Sequence, residues 1–115
     1  MAYVDGFVIP VPKKSLKAYL KMARLGKRAW MKHGALDYKE CVVDDLKPSG
    51  MPSFFPKMAR LKKGETVVFS YILYKSKAHR DRVNAKVMKE MGNAPPEMPF
   101  DMKRFAYAGF KVVVG

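Results

Sequence analysis

In the nine-residue run Thr66-Val67-Val68-Phe69-Ser70-Tyr71-Ile72-Leu73-Tyr74 near the middle of the chain, seven residues are apolar or aromatic, and they fall on both alternating sets. Such a run of β-branched and aromatic residues specifies a strand. Successive strand side chains point to opposite faces. Val67, Phe69, Tyr71 and Leu73 therefore share one face, and Val68, Ile72 and Tyr74 share the other. Whatever the chain folds into must cover this strand on both sides.

The rest of the sequence supplies cover for one side. Tyr3 to Val11 reads as a strand that stops at Pro10-Val11-Pro12. Ser15 can cap a helix whose periodicity runs to about His33, and Gly34 ends it. Leu36 to Val43 reads as a second strand, followed by a long loop from Asp44 to Gly64 that contains Pro48, Pro52 and Pro56. After the strand at Thr66–Tyr74, Ser76 caps a helix over Lys77–Met91. Gly92 to Pro99, with Pro95-Pro96, reads as a loop, and Lys103 to Val114 as the last strand. The order β-α-β-β-α-β is the α+β split motif of ferredoxin-like folds, with helices on one face of an antiparallel sheet and the first and third strands at its centre. At 115 residues the chain suits a single domain, residues 1–115.

Two helices hide one sheet face. The other would leave several large side chains exposed, more than monomers usually carry. A second copy, packed sheet against sheet about a two-fold axis, would cover it, and a homodimer is the expectation. The competing arrangement folds the long loop across the open face.

The formal charge is +13, which favours anionic partners. At 100° per residue, Lys13, Lys14, Lys17, Lys21, Arg24, Lys27, Arg28 and Lys32 fall in one arc of the first helix, about 140° wide. No acid occurs between Asp5 and Asp37. Lys17, Lys21, Arg24 and Arg28 are the core of a candidate nucleic-acid face, although the stacking aromatics of single-strand binders are missing from it. The other reading of this stripe is a lysine-rich solvated surface. No apolar run reaches the roughly 20 residues of a membrane span. The acidic start of the chain does not resemble a signal peptide. Cys41 is the only cysteine, which excludes an internal disulfide and fits a cytoplasmic setting. With His33 and His79 as the only histidines, no metal site and no cofactor are expected.

Candidate chemistry is sparse. Asp5 lies in a central strand, where acids are scarce. It reads as a buried base or as the partner of Lys111 on an adjacent last strand. His33 closes the first helix and reads as an acid/base group or as a cation at the helix C-terminus. Arg80, Asp81 and Asn84 border the apolar arc of the second helix. They would point into a cleft or pair with their neighbours. Tyr3, Tyr38, Tyr71 and Tyr107 could line a pocket with hydroxyl handles. Cys41 reads as small buried filler. Gly6 and Gly109 read as points of close approach or bulges in strands. No phosphate loop, nucleophile elbow or zinc helix motif is present.

Several segments in order resemble the YbaA-like bacterial family, a domain-of-unknown-function family. They are Tyr3-Val4-Asp5-Gly6-Phe7-Val8 with Pro10-Val11-Pro12; Trp30 with His33-Gly34-Ala35-Leu36; Glu40-Cys41-Val42 with Asp44-Asp45; Glu65-Thr66-Val67-Val68-Phe69-Ser70; Asn84-Ala85-Lys86-Val87-Met88; and Met98-Pro99-Phe100-Asp101. The resemblance implies a dimeric α/β-barrel of the ferredoxin-like class and no particular activity. Fold relatives include cofactor-independent monooxygenases, haem-binding enzymes and stress-response barrels, but fold does not fix function. The sequence departs from the family pattern in its more basic first helix, and at Lys75, Met102 and Lys111. The leading expectation is a small-molecule-binding dimer with a pocket near Asp5, His33, Tyr38, Tyr71, Arg80 and Tyr107, either a binder or a cofactor-independent enzyme. An RNA-binding module and a purely structural assembly protein are the alternatives.

Overall fold

The computed structural model of the chain describes residues 1–50, 54–92 and 98–115. The expected turns at Pro52 and at Pro95-Pro96 lie outside the described residues. Strand β1 spans Tyr3–Pro12, helix α1 Leu16–Lys32 and strand β2 Asp37–Val42. A four-residue helix, α2, spans Phe55–Met58 inside the long connection. Strand β3 spans Glu65–Tyr74, helix α3 Lys77–Met91 and strand β4 Ala106–Lys111. The strands form one sheet in the order β2-β3-β1-β4, and every neighbouring pair is antiparallel. This α+β arrangement is consistent with a ferredoxin-like fold.

Some sequence boundaries move. The last strand runs from Ala106 to Lys111 rather than from Lys103 to Val114, and its start is delayed because Met102–Arg104 form a 3-10 turn. Arg104 holds that turn. Its guanidinium meets both carboxylate oxygens of Glu65 at 2.6 Å, Asp101 Oδ2 at 3.0 Å and the Arg60 carbonyl at 3.0 Å. The long connection is not structureless, since Phe55 and Pro56 start a helical turn where proline loses no hydrogen bond.

The Arg104 clamp joins the loop, β3 and the entry to β4 through a side chain only 7% exposed. Arg104 in turn holds the Glu65 carboxyl below its ordinary range. That contribution is complete above the ordinary carboxylate value and is lost as pH falls through the depressed one. Arg104→Ala is expected to cost about 2–4 kcal/mol, because it strands Glu65. A urea midpoint unchanged from wild type would show the clamp to be ornamental.

Both long helices pack on one sheet face. Tyr38, Ile72 and Tyr74 of the sheet meet Ala29, Val83 and Val87 at one end, and Ile9, Val11 and Val68 meet Tyr19, Ala23 and Phe100 at the other. Val11, Val68 and Val87 have no exposed surface. Each such side chain contributes about 1.5–3 kcal/mol by leaving water. Gly26 lets α1 approach β2 closely: a Cβ there would sit 2.9 Å from Tyr38 Oη.

Among the described residues, the opposite face is covered only at a corner. Val67 is buried beside Leu46, Pro48 and Phe55 of the connection, which rim a cavity of about 250 Å³. Beyond that corner, Phe69 is 46% and Phe110 55% exposed. The ladder sets Val8 opposite Phe69, Gly6 opposite Tyr71 and Val4 opposite both Leu73 and Phe110. Cys41, expected as buried filler, is exposed on this face, because its register partner is Phe69.

Candidate functional site

The chemistry-bearing residues converge where α3 crosses β1 and β4. Asp5 lies mid-strand in β1, on the helix side, and is 2% exposed. The turn from β3 into α3 is short. Ser76 caps the helix, its Oγ accepting from the His79 amide at 3.1 Å, and His79 Nδ1 accepts from the Lys75 amide at 2.9 Å. This geometry places Arg80 in the first turn of α3, over the sheet. Its Nη1 donates to Asp5 Oδ1 at 3.3 Å and to Tyr107 Oη at 2.7 Å, and its Nη2 reaches Tyr3 Oη at 3.5 Å. The guanidinium carbon stands 5.1 Å from the centre of the Tyr3 ring. Arg80 Nε is buried. It lies 2.9 Å from Asp81 Oδ1 but without the alignment of a hydrogen bond.

One turn further along α3, Asn84 Oδ1 accepts from Trp30 Nε1 at 2.9 Å and from Tyr74 Oη at 3.2 Å. Tyr107 stacks on Phe7 with ring centres 4.8 Å apart, and it is 45% exposed. The cluster is therefore buried at Asp5 and open at Tyr107.

Burial pushes the Asp5 carboxyl above its ordinary value, outweighing the opposing attraction of Arg80 and the hydrogen bonding of Tyr107, Tyr74 and Asn84. Desolvation also works against the Arg80 charge, but Asp5, Tyr107 and Asp81 overcome it and hold Arg80 cationic. Burial and the neighbouring Asp5 raise the Tyr107 phenol. The result is a carboxylate with increased proton affinity, a fixed cation and two phenols within reach of one point.

Asp5, Arg80 and Tyr107 are thus brought together, and three other expected pocket residues are placed elsewhere. His33 turns to α3, with Nε2 3.2 Å from Glu90 Oε2. Tyr38 donates to Glu40 Oε2 at 2.7 Å, and Tyr19 donates to Glu40 Oε1 at 2.7 Å, between α1 and β2. Tyr71 lies on the far face of the sheet, 3.4 Å from Asp37 Oδ2, because strand alternation separates it from Ile72. Lys111 does not pair with Asp5. The register sets Gly109 opposite Asp5 and Lys111 opposite Tyr3. Two cavities among the described residues lie away from this cluster, one at the Val67 corner and one a shallow hollow of about 410 Å³ beside Glu65, Phe100 and Arg104. Of the candidate anion face, Lys17, Lys21, Arg24 and Arg28 are all exposed on α1. Among the described residues no group of acids, histidines and cysteine could hold a metal ion, and no helix is long and apolar enough to cross a membrane.

Tyr74 and Trp30 belong to this neighbourhood without being candidates from sequence, whereas Tyr3 was expected as a pocket hydroxyl and Asn84 as a polar group beside an apolar arc. The available signal was Asn84 beside an apolar arc. A buried indole N–H needs an acceptor, and Asn84 supplies it. Gly109, expected as a bulge or a point of close approach, proves to be a close approach. A Cβ there would meet the Tyr3 ring, with Cζ at 2.8 Å. Gly109→Ala is expected to cost about 1–3 kcal/mol by overpacking, and to shift Tyr3 and Arg80 with it. An unchanged melting temperature with unchanged Tyr3 ring resonances would rule this out.

The model of the family described as "Protein of unknown function (DUF1428)" matches residues 2–102. The chain is 40% identical over 119 residues to "Uncharacterized protein YbaA" of Escherichia coli (strain K12), with 99% of this chain and 98% of that protein covered. The protein of the same description from Shigella flexneri matches equally. A de novo designed protein, Foldit4, aligns over 96% of this chain and 98% of its own at 11% identity and a TM-score of 0.47, too slight a likeness to carry any weight.

Proposed function

The chain belongs to the DUF1428 family of proteins of unknown function, and from that premise we propose that it is a homodimeric binding protein for a small, neutral, ring-shaped molecule bearing a hydroxyl or carbonyl group. The observation that carries the ligand reading is the buried Asp5 carboxylate, met by Arg80 from α3 and Tyr107 from β4 at a half-open seam. The net charge of the seam argues against an anion, since Arg80 is already balanced by Asp5 and Asp81 adds a negative group. The rings of Tyr3, Phe7 and Tyr107 supply flat apolar contact. Arg80 and Tyr107 can donate to a ligand oxygen. Asp5, with its proton affinity raised by burial, can accept a ligand's hydroxyl proton, which is the step an enzymatic version would use.

The dimer reading rests on the open sheet face. Phe69, Tyr71, Leu73, Val4 and Phe110 form an apolar surface that the described part of the long connection leaves uncovered. A second copy placed there hides it without covering the helices. We place this dimer in the cytoplasm, a setting that suits an exposed, unpaired Cys41.

Titration with phenol, followed by NMR at the Arg80 Nε–H and the Tyr107 ring, tests the ligand reading. Saturable shifts at both groups are expected in the wild type and are lost in Asp5→Asn. Shifts confined to the Val67 corner, or no shift at the seam at millimolar phenol, would refute it.

A further inference from the structure

The charge of this molecule is segregated by layer. Helices α1 and α3 together hold eleven lysines and arginines against two acids, Asp81 and Glu90, so a net +9 of the chain's +13 rides on them. The helices lie side by side, joined by Trp30 to Asn84 and by Glu90 to Lys32 and His33. Their apolar sides are spent on the sheet, through Tyr19, Ala23, Gly26 and Ala29 of α1 and Val83 and Val87 of α3. Apart from Arg80, which turns in to Asp5, their cations therefore point outward. Lys17, Lys21, Arg24 and Arg28 recur at steps of four, three and four residues, a straight ridge about 16 Å long at 1.5 Å per residue. All four are exposed, and none has an ion-pair partner among the described residues. Lys13 and Lys14 extend the ridge at one end, and Arg82, Lys86 and Lys89 form a shorter, equally exposed row on α3.

A row of unpaired like charges repels itself. It gains only from an anion that is also extended. We propose that the outer surface of the helical layer binds the phosphodiester backbone of nucleic acid, tracking it along the α1 ridge without reading bases. A phosphate chain offers a line of charges to a line of cations and releases its condensed counterions on contact. A membrane surface fits less well, because peripheral helices bury an apolar face in the bilayer, and the apolar face of α1 is already buried in this fold. No aromatic side chain stands on the ridge, so stacking and base preference are not expected. The surface lies opposite the open sheet face and is accessible in a monomer or in a sheet-to-sheet dimer, so this inference does not rest on the ligand reading.

Fluorescence anisotropy with a labelled 30-nucleotide RNA and a 20-base-pair DNA at 50 mM salt tests it. For four phosphate contacts the logarithm of affinity should fall with the logarithm of salt at a slope of about −3 to −4. Affinity should therefore drop roughly 50–150-fold between 50 and 200 mM. The variant Lys17→Gln/Lys21→Gln/Arg24→Gln/Arg28→Gln, its helix content checked by circular dichroism, should lose more than tenfold in affinity and most of that slope. A control with the same charge change elsewhere, Lys57→Gln/Lys62→Gln/Lys63→Gln/Lys103→Gln, should bind nearly as wild type. Absence of binding at 50 mM salt overturns the proposal. So does an equal loss in the two quadruple variants, which would make net charge the whole cause, or tighter binding to phosphatidylserine vesicles than to either nucleic acid.

Discussion

Arg80→Ala is expected to lower the unfolding free energy by about 3 kcal/mol at neutral pH, a cost set by what the substitution leaves behind. Asp5 is 2% exposed, and Arg80 is the only cation within ion-pairing distance of it among the described residues. Without Arg80 the carboxylate stays buried and unpaired. The pH dependence follows from the direction of the Asp5 shift. Its folded pKa is already raised by burial, so the native state holds the Asp5 proton more tightly than the unfolded chain does. The stability this group contributes is therefore greatest below its ordinary value, and falls as pH rises through the folded one. Removing Arg80 takes away the main opposing effect, and the window extends upward. The deficit of Arg80→Ala should be small near pH 4 and full by pH 8, read from urea midpoints at each pH. Asp5→Asn should cost less than Arg80→Ala at pH 8, because it removes the buried charge itself. The reverse order would mean that attraction, not desolvation, governs the pair.

The second large effect concerns the open face of the sheet. In the proposed dimer, Phe69 and Phe110 are central aromatic contacts, and truncating such residues costs about 2 kcal/mol or more each. Phe69→Lys/Phe110→Lys is expected to weaken self-association by at least about a hundredfold. The fold should persist, because both side chains are already half in water within one chain. Gel filtration of the variant at micromolar concentration should yield a single, smaller, folded species. A variant that elutes with the wild type would move the interface elsewhere. A variant that unfolds as a monomer would show these rings to be part of the chain's own core.

The sheet was legible in the sequence because its information is local. Alternation in Thr66–Tyr74 gives both faces of β3 directly, and Ser76 and Gly34 mark helix ends with their own chemistry. The start of β4 was not legible, since the Met102–Arg104 turn is imposed by Glu65, 39 residues away. The site was half legible for the same reason. Asp5 stood out as an acid in a central strand, and Arg80 as a cation at the edge of an apolar arc. Their pairing depends on the β3–α3 turn and on a register that sets Gly109, not Lys111, across from Asp5. Tyr71 shows a different failure. Strand parity already put it with Phe69 and Leu73, on the face away from the helices, and grouping it with Tyr38 by residue type overrode that parity. Tyr19 and Glu40 escaped notice because a half-buried carboxylate satisfied by two phenols leaves no trace in charge or periodicity.

Sedimentation equilibrium of the intact chain at about 10 µM in 150 mM salt weighs the particle directly. Coverage of the second sheet face by another copy predicts a mass twice the 13.1 kDa of the chain, dissociating only on dilution. A single species of 13.1 kDa across that range would contradict it, and would leave Phe69, Tyr71 and Phe110 facing water.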